Sequence, residues 1–182
     1  KSLRLDGRGI FIGAAVNLSQ LIQDPIIQRQ APLLSSAAQA VGTTQLRNMG
    51  TVGGNICQRT RCLYFRHRDY VCFKKGGTKC YAPAGEHRDY HAIFNLGKCV
   101  MSHPSDLAPA LTALQAVCVI HGKQGERLLP ISEFFLGPNS YRETSLADDE
   151  MLKGVLIPSG TEKLLQVFIK QSPRKSVDFA LV

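Results

Sequence analysis

From Cys57 to His103 the chain shows little hydrophobic periodicity, yet this stretch holds Cys57, Cys62, Cys72, Cys80 and Cys99. A loop that long does not persist inside a compact domain unless something organises it, and a metal centre would do so. Directly upstream lies the turn Thr51-Val52-Gly53-Gly54-Asn55. Paired glycines let a backbone approach a ligand and aim N–H groups at phosphate oxygens, with Thr51 and Asn55 adding a hydroxyl and an amide. A thiol cluster behind a turn that admits a phosphate suggests a redox protein with two centres. The chain has neither G-x-G-x-x-G nor G-x-x-x-x-G-K-[ST], which removes the Rossmann and P-loop readings.

The thiol spacing from Cys62 is C-x9-C-x7-C-x18-C. Zinc sites usually contain a close C-x2-4-C pair, and the closest spacing here is Cys57 to Cys62; the short ferredoxin motif C-x2-C-x2-C does not occur. Spacing alone leaves iron–sulfur, zinc and free thiols level. The charge adds a second constraint. Lys and Arg number 22 against 14 Asp and Glu, a formal charge of +8. Much of the excess lies among the cysteines, where Arg59, Arg61, Arg66, Arg68, Lys74, Lys75, Lys79, Arg88 and Lys98 face only Asp69, Glu86 and Asp89. Such cations either coat a solvated loop or offset thiolate and cofactor charge.

Elsewhere the pattern predicts a mixed fold. Leu3 and Leu5, then Ile10 and Ile12, alternate as a hairpin bent at Asp6-Gly7. Asn17 and Gln20 form a capping box for a helix through Leu18, Leu21 and Ile22, and Pro25 restarts it. The segment from Ala31 to Val41 reads as a helix packed on several sides. Pro104-Ser105-Asp106 opens another, with Leu107, Ala110, Leu111 and Leu114 on one face. Val117 to His121 and Arg127 to Leu129 form a second hairpin, and Met151 to Ile157 and Leu164 to Ile169 are two further strands. Without regular βαβ spacing, the expected class is α+β.

At 182 residues the chain suits one domain with a real core, and 44% hydrophobic content argues against disorder. It has no apolar run long enough to cross a bilayer and no signal-peptide core, so a cytoplasmic protein with no membrane association is expected, or a periplasmic one exported with a partner subunit. It begins without Met and stops within the apolar run Asp178-Phe179-Ala180-Leu181-Val182, which reads as a fragment.

Gln45-Leu46-Arg47-Asn48-Met49-Gly50-Thr51-Val52-Gly53-Gly54-Asn55, followed by His103-Pro104-Ser105-Asp106-Leu107-Ala108-Pro109-Ala110-Leu111, resembles the FAD-binding (medium) subunit of the xanthine dehydrogenase/molybdenum hydroxylase family. Gln58 to Cys62, Cys72, Lys75-Gly76-Gly77, Cys80-Tyr81, Tyr90-His91-Ala92 and Cys99 are similar to an insertion carrying an extra [4Fe–4S] cluster in one branch. That branch includes the β subunit of 4-hydroxybenzoyl-CoA reductase and the flavin subunits of some bacterial aldehyde dehydrogenases. The resemblance implies a partial FAD-binding domain of the molybdopterin dehydrogenase (PCMH-like) type over residues 1–182, with residues 57–103 as the iron–sulfur insertion. The family's first flavin loop would precede Lys1 and its C-terminal small domain would follow Val182, so FAD binding by this fragment alone is open.

Residue by residue, the resemblance places Thr51, Gly53, Gly54 and Asn55 at the flavin, Asp106 at its ribityl or phosphate end, and Leu152 and Lys170 beside the isoalloxazine ring. The plain alternatives are helix capping for Ser105 and Asp106, core packing for Leu152 and a solvated charge for Lys170. It assigns Cys62, Cys72, Cys80 and Cys99 to the cluster, with His67, His87, His91 and His103 as substitute ligands. Cys57 follows the glycine turn too closely to join them, and Cys118 is a buried strand thiol. The implied function is an electron-transfer flavoprotein subunit without acid–base or nucleophilic catalytic residues, working with a molybdenum-cofactor large subunit and a [2Fe–2S] small subunit and not with nucleic acid. Rival readings are a zinc-binding nucleic-acid module and a disulfide-stabilised extracellular binding domain. Substrate and physiological electron acceptor are not encoded in this chain.

Overall fold

The computed structural model describes residues 2–86, 91–94, 97–174 and 177–181. His87, Arg88, Asp89 and Tyr90, named above, lie outside the described residues. Five strands form one antiparallel sheet in the order β1-β2-β5-β3-β4: β1 Leu3–Asp6, β2 Gly9–Gly13, β3 Val117–Gly122, β4 Gly125–Pro130 and β5 Met151–Pro158. Asp6 pairs with Gly9 and Gly122 with Gly125, so both expected hairpins close on two-residue loops. Gly9 and Gly125 each take a positive φ to make the bend.

The helices line up as the local signals require. Asn17 and Gln20 complete the capping box of α1 (Leu18–Gln23). Asp24 caps α2 (Pro25–Gln30), and Pro32 starts α3 (Pro32–Gln39), which buries Leu33, Leu34, Ala37 and Ala38. Then come α4 (Thr44–Met49), α5 (Val52–Ile56), α6 (Leu63–Arg66), α7 (Leu107–Ala113) and α8 (Ile131–Phe134). One core joins Ile10, Ile12, Ile120, Val155 and Ile157 of the sheet to Leu21, Leu34, Ile56, Leu107 and Leu111 of the helices. The all-antiparallel sheet with helices packed against it is the α+β arrangement expected.

Two elements differ from expectation. The glycine segment is not a free turn but the body of α5, with Thr51 as its N-cap. Leu164 to Ile169 pairs with no strand among the described residues, although Phe168 packs against the core. Leu164, Leu165, Val167 and Ile169 are exposed, while Gln166 binds the Gln30 and Thr161 carbonyls and the Leu33 N–H.

The cysteine-rich stretch contains α6 and two 3-10 turns, Phe73–Lys75 and Ala82–Ala84, around a small core of Cys62, Ala82 and Val100. It is pinned to the loop after α8. Lys74 is 6% exposed, its ammonium lies 2.5 Å from the Glu143 carboxylate, and it also donates to the Gly137 carbonyl at 3.3 Å. Arg59 donates to the Lys74 and Tyr141 carbonyls and covers the Phe65 ring. Breaking one side of a buried pair costs about 3–5 kcal/mol. Lys74→Met is therefore expected to release the insertion, with chymotryptic cleavage among its aromatic residues rising more than about tenfold while the sheet's circular dichroism stays unchanged. Equal cleavage of both proteins would show that the pair does not hold the insertion.

Candidate functional site: a cavity beside the glycine helix

The two glycines of α5 do different jobs. The Gly53 N–H donates to the Ala14 carbonyl at 2.8 Å, and a Cβ added to Gly53 would lie 2.7 Å from the Ala14 Cβ. Gly53 is therefore set by packing of α5 against the end of β2. A Cβ on Gly54 would meet only the Thr51 Oγ1, at 3.1 Å, and otherwise open space. Thr51 Oγ1 accepts the Gly54 N–H at 3.1 Å, and the Val52 N–H goes to the Val16 carbonyl at 2.9 Å. The expected row of free N–H groups is thus already spent within the protein, which corrects the reading of this segment as a phosphate nest.

Asn55 ties α5 to the loop before α7. Its Oδ1 accepts from Ser105 Oγ at 2.6 Å, and Ser105 Oγ in turn accepts the Ala108 N–H at 3.0 Å. Ser105 therefore caps α7, and Asp106 does not. Instead the Asp106 carboxylate receives the Lys170 ammonium at 2.8 Å, both side chains being 10% exposed. Burial pushes the Asp106 carboxyl up, and Lys170 pulls it back. Lys170 also donates to the Ala40 carbonyl at 3.0 Å, so it is a buried, paired cation rather than a solvated one.

These groups frame a cavity of about 530 Å³ whose lining includes Thr51, Gly54, Asn55, Arg61, Asp106 and Lys170. Leu152 is not among them. It belongs to the core and lines a second cavity, of about 820 Å³, with Thr51, Gly53 and Gly54. The two spaces share Thr51 and Gly54, and the bare face of Gly54 opens where a Cβ would intrude. An elongated dinucleotide fits such a pair of cavities, and FAD is compatible with this chain on that ground. The sequence reading missed the α4 wall, Leu46 and Met49, which line the first cavity although both are exposed. Their i, i+3 spacing was the available signal. It also gave no cofactor role to Arg61, which it counted among the basic residues and within the insertion segment Gln58 to Cys62.

All six cysteines are free thiols, which removes the disulfide-framework reading. Cys57 and Cys118 pack with the main core, where burial raises them to about 11 and about 12. Cys62, Cys72 and Cys99 are buried within the insertion, and Cys80 packs beside Cys62. Burial raises the Cys62 thiol; the Phe65 and Tyr64 N–H groups oppose that, and the Cys80 and Cys72 thiolates add to it. Cys99 is raised by burial, is eased by the Met101 N–H, and feels Cys80. Cys72 and Cys80 thus lie within electrostatic reach of Cys62, and Cys80 within reach of Cys99. Among the described residues, however, no group of three or more His, Cys, Asp or Glu side chains could hold a metal ion as it stands. His67 is exposed, and His91 and His103 each keep a buried Nε2 with no hydrogen-bond partner. The surrounding cations are also not wholly devoted to thiolates, since Lys74 is spent on Glu143.

Residues 1–160 match the family model described as the FAD binding domain in molybdopterin dehydrogenase. The chain is 34% identical to the aldehyde oxidoreductase FAD-binding subunit PaoB of Escherichia coli, over 97% of this chain and 57% of that protein. It is 24% identical to the nicotinate dehydrogenase FAD-subunit of Eubacterium barkeri, over 99% and 47%. Among solved structures, carbon monoxide dehydrogenase from Hydrogenophaga pseudoflava superposes with a TM-score of 0.65 at 23% identity, over 99% of this chain and 47% of that one. Quinoline 2-oxidoreductase from Pseudomonas putida gives 0.64 at 20% identity, over 99% and 46%. The chain therefore spans about half the length of the relatives it matches. By sequence and by fold, the chain belongs to the FAD-binding domain family of the molybdopterin dehydrogenases.

Proposed function

We propose that this chain is the flavin-binding part of an electron-transfer subunit in a molybdenum hydroxylase. The observation that carries the reading is the cavity that Gly54 leaves open beside Thr51, Asn55, Asp106 and Lys170. Bound there, FAD would exchange electrons with a one-electron centre on one side and an external acceptor or donor on the other. The protein's part is to position and shield the cofactor. Thr51 fixes the start of α5, Asn55 and Ser105 lock α5 to α7, and the Asp106–Lys170 pair ties the C-terminal segment across the cavity. Leu152 supplies an apolar wall in the adjoining space.

The insertion would hold a [4Fe–4S] cluster through Cys62, Cys72, Cys80 and Cys99. Its support is the donor set: Cys62 is near Cys72 and Cys80, Cys99 is near Cys80, and N–H groups of Tyr64, Phe65 and Met101 are turned towards Cys62 and Cys99, a feature that tunes iron–sulfur potentials. A molybdenum-cofactor large subunit and a [2Fe–2S] small subunit would complete the complex in the cytoplasm. Among the described residues no helix is long and apolar enough to cross a membrane.

Two sets of substitutions separate these statements. In the native protein Gly54→Val is expected to weaken FAD binding at least about tenfold, the cost of 1.4 kcal/mol of lost contact, while iron content is kept. Gly53→Ala is expected instead to lower the melting temperature by driving a methyl into Ala14. Unchanged flavin content in Gly54→Val would overturn the flavin assignment. Changing Cys62, Cys72, Cys80 and Cys99 singly to Ser is expected to lower iron and acid-labile sulfide per chain. Full iron in two or more of these variants would remove the cluster assignment.

A further inference from the structure

We infer that Arg61, a side chain supplied by the cysteine-rich insertion, is a cofactor-binding residue that pairs with the diphosphate oxygens of FAD. The inference rests on the reading of the cavity as the flavin site and names a contact that this reading does not contain.

Charge accounting within the cavity leads to Arg61. Its ionisable lining groups are Arg61, Asp106, Lys170 and Asp178. Asp106 is held by Lys170 at 2.8 Å. Asp178 is held on both oxygens by Arg174, at 2.8 Å from Nε and 2.7 Å from Nη2. Arg61 faces no carboxylate among the described residues. Its guanidinium donates to Gln58 Oε1 at 3.4 Å and stands 5.9 Å from the centre of the Phe179 ring. Arg61 also lines the adjoining space of about 430 Å³ beside His103 and Ser105, so its head lies where two parts of the cleft meet.

The backbone strengthens the case. Within this chain the first N–H groups of α5 are taken by Val16, Ala14 and Thr51. Lys170 is committed to Asp106 and the Ala40 carbonyl. Among the described residues that line the cavity, the Arg61 guanidinium is the cation with no carboxylate partner, and its planar fork matches phosphate oxygens two at a time. Arg61 immediately precedes Cys62, so one short piece of backbone would hold both the flavin contact and a thiolate of the proposed cluster. Occupation of one centre would then order the other.

The test is a binding titration of the deflavinated native protein, wild type, Arg61→Met and Arg61→Lys, with FAD and with riboflavin, which lacks phosphate. Arg61 is exposed, so its removal leaves the core intact. Arg61→Met is expected to bind FAD about ten- to a hundredfold more weakly and riboflavin as well as wild type does, with Arg61→Lys in between. Raising salt is expected to weaken FAD binding more in wild type than in Arg61→Met. Equal FAD affinity in wild type and Arg61→Met overturns the inference and leaves the flavin site standing. An equal loss for FAD and riboflavin also overturns it, because the contact would not be to phosphate. Wild-type protein that binds no FAD removes both this contact and the flavin reading beneath it.

Discussion

The contact on which the site depends is the one between Gly53 and Ala14. With no side chain at Gly53, α5 lies flat against the end of β2, close enough for the Gly53 N–H to reach the Ala14 carbonyl. That approach sets the direction of α5 and, with it, everything the helix carries. Gly54 faces the open cleft, Asn55 meets Ser105, and Cys57 enters the core before the chain departs into the insertion. A side chain at position 53 would lift the helix and move each of these groups together.

The cleft is closed by parts of the chain that are distant in sequence. Asp106 comes from the start of α7, Lys170 from the segment after β5, Leu46 and Met49 from α4, and Arg61 from the insertion. Their charges are mostly matched in place. A buried pair such as Asp106 and Lys170 adds little net stability over an apolar pair, but removal of either partner is costly. Such a pair suits the fixing of geometry better than the strengthening of the fold. The Arg61 guanidinium, with no carboxylate partner among the described residues, is the exception, and it is the group inferred to meet the cofactor's phosphates.

Much of this was legible in local sequence signals. The hairpins at Asp6-Gly7 and Gly122 to Gly125, the Asn17/Gln20 cap and the proline starts are short-range effects, and the structure repeats them. The resemblance of the segments around Thr51 and Asp106 led to the family. What escaped notice depends on tertiary packing. Leu164 to Ile169 has the composition of a strand, but Gln166 and Lys170 face inward to bind carbonyls and a carboxylate, which no alternation rule anticipates. Gly53 and Gly54 look equivalent in sequence and differ only in what stands opposite each. Leu152 and Lys170, both assigned to the ring, line different cavities: Leu152, a core residue of β5, borders the space beside Glu150 and Lys153.

The central claim is that flavin occupies the space between α4, α5 and the Asp106–Lys170 pair. Hydrogen exchange of the deflavinated native protein, followed by mass spectrometry with and without FAD, tests it most directly. The account predicts that FAD slows exchange in residues 41–58, 104–110 and 166–171 and leaves the edge strand Gly125–Pro130 unchanged. Protection confined to other segments, or none at FAD concentrations that saturate binding, would contradict it.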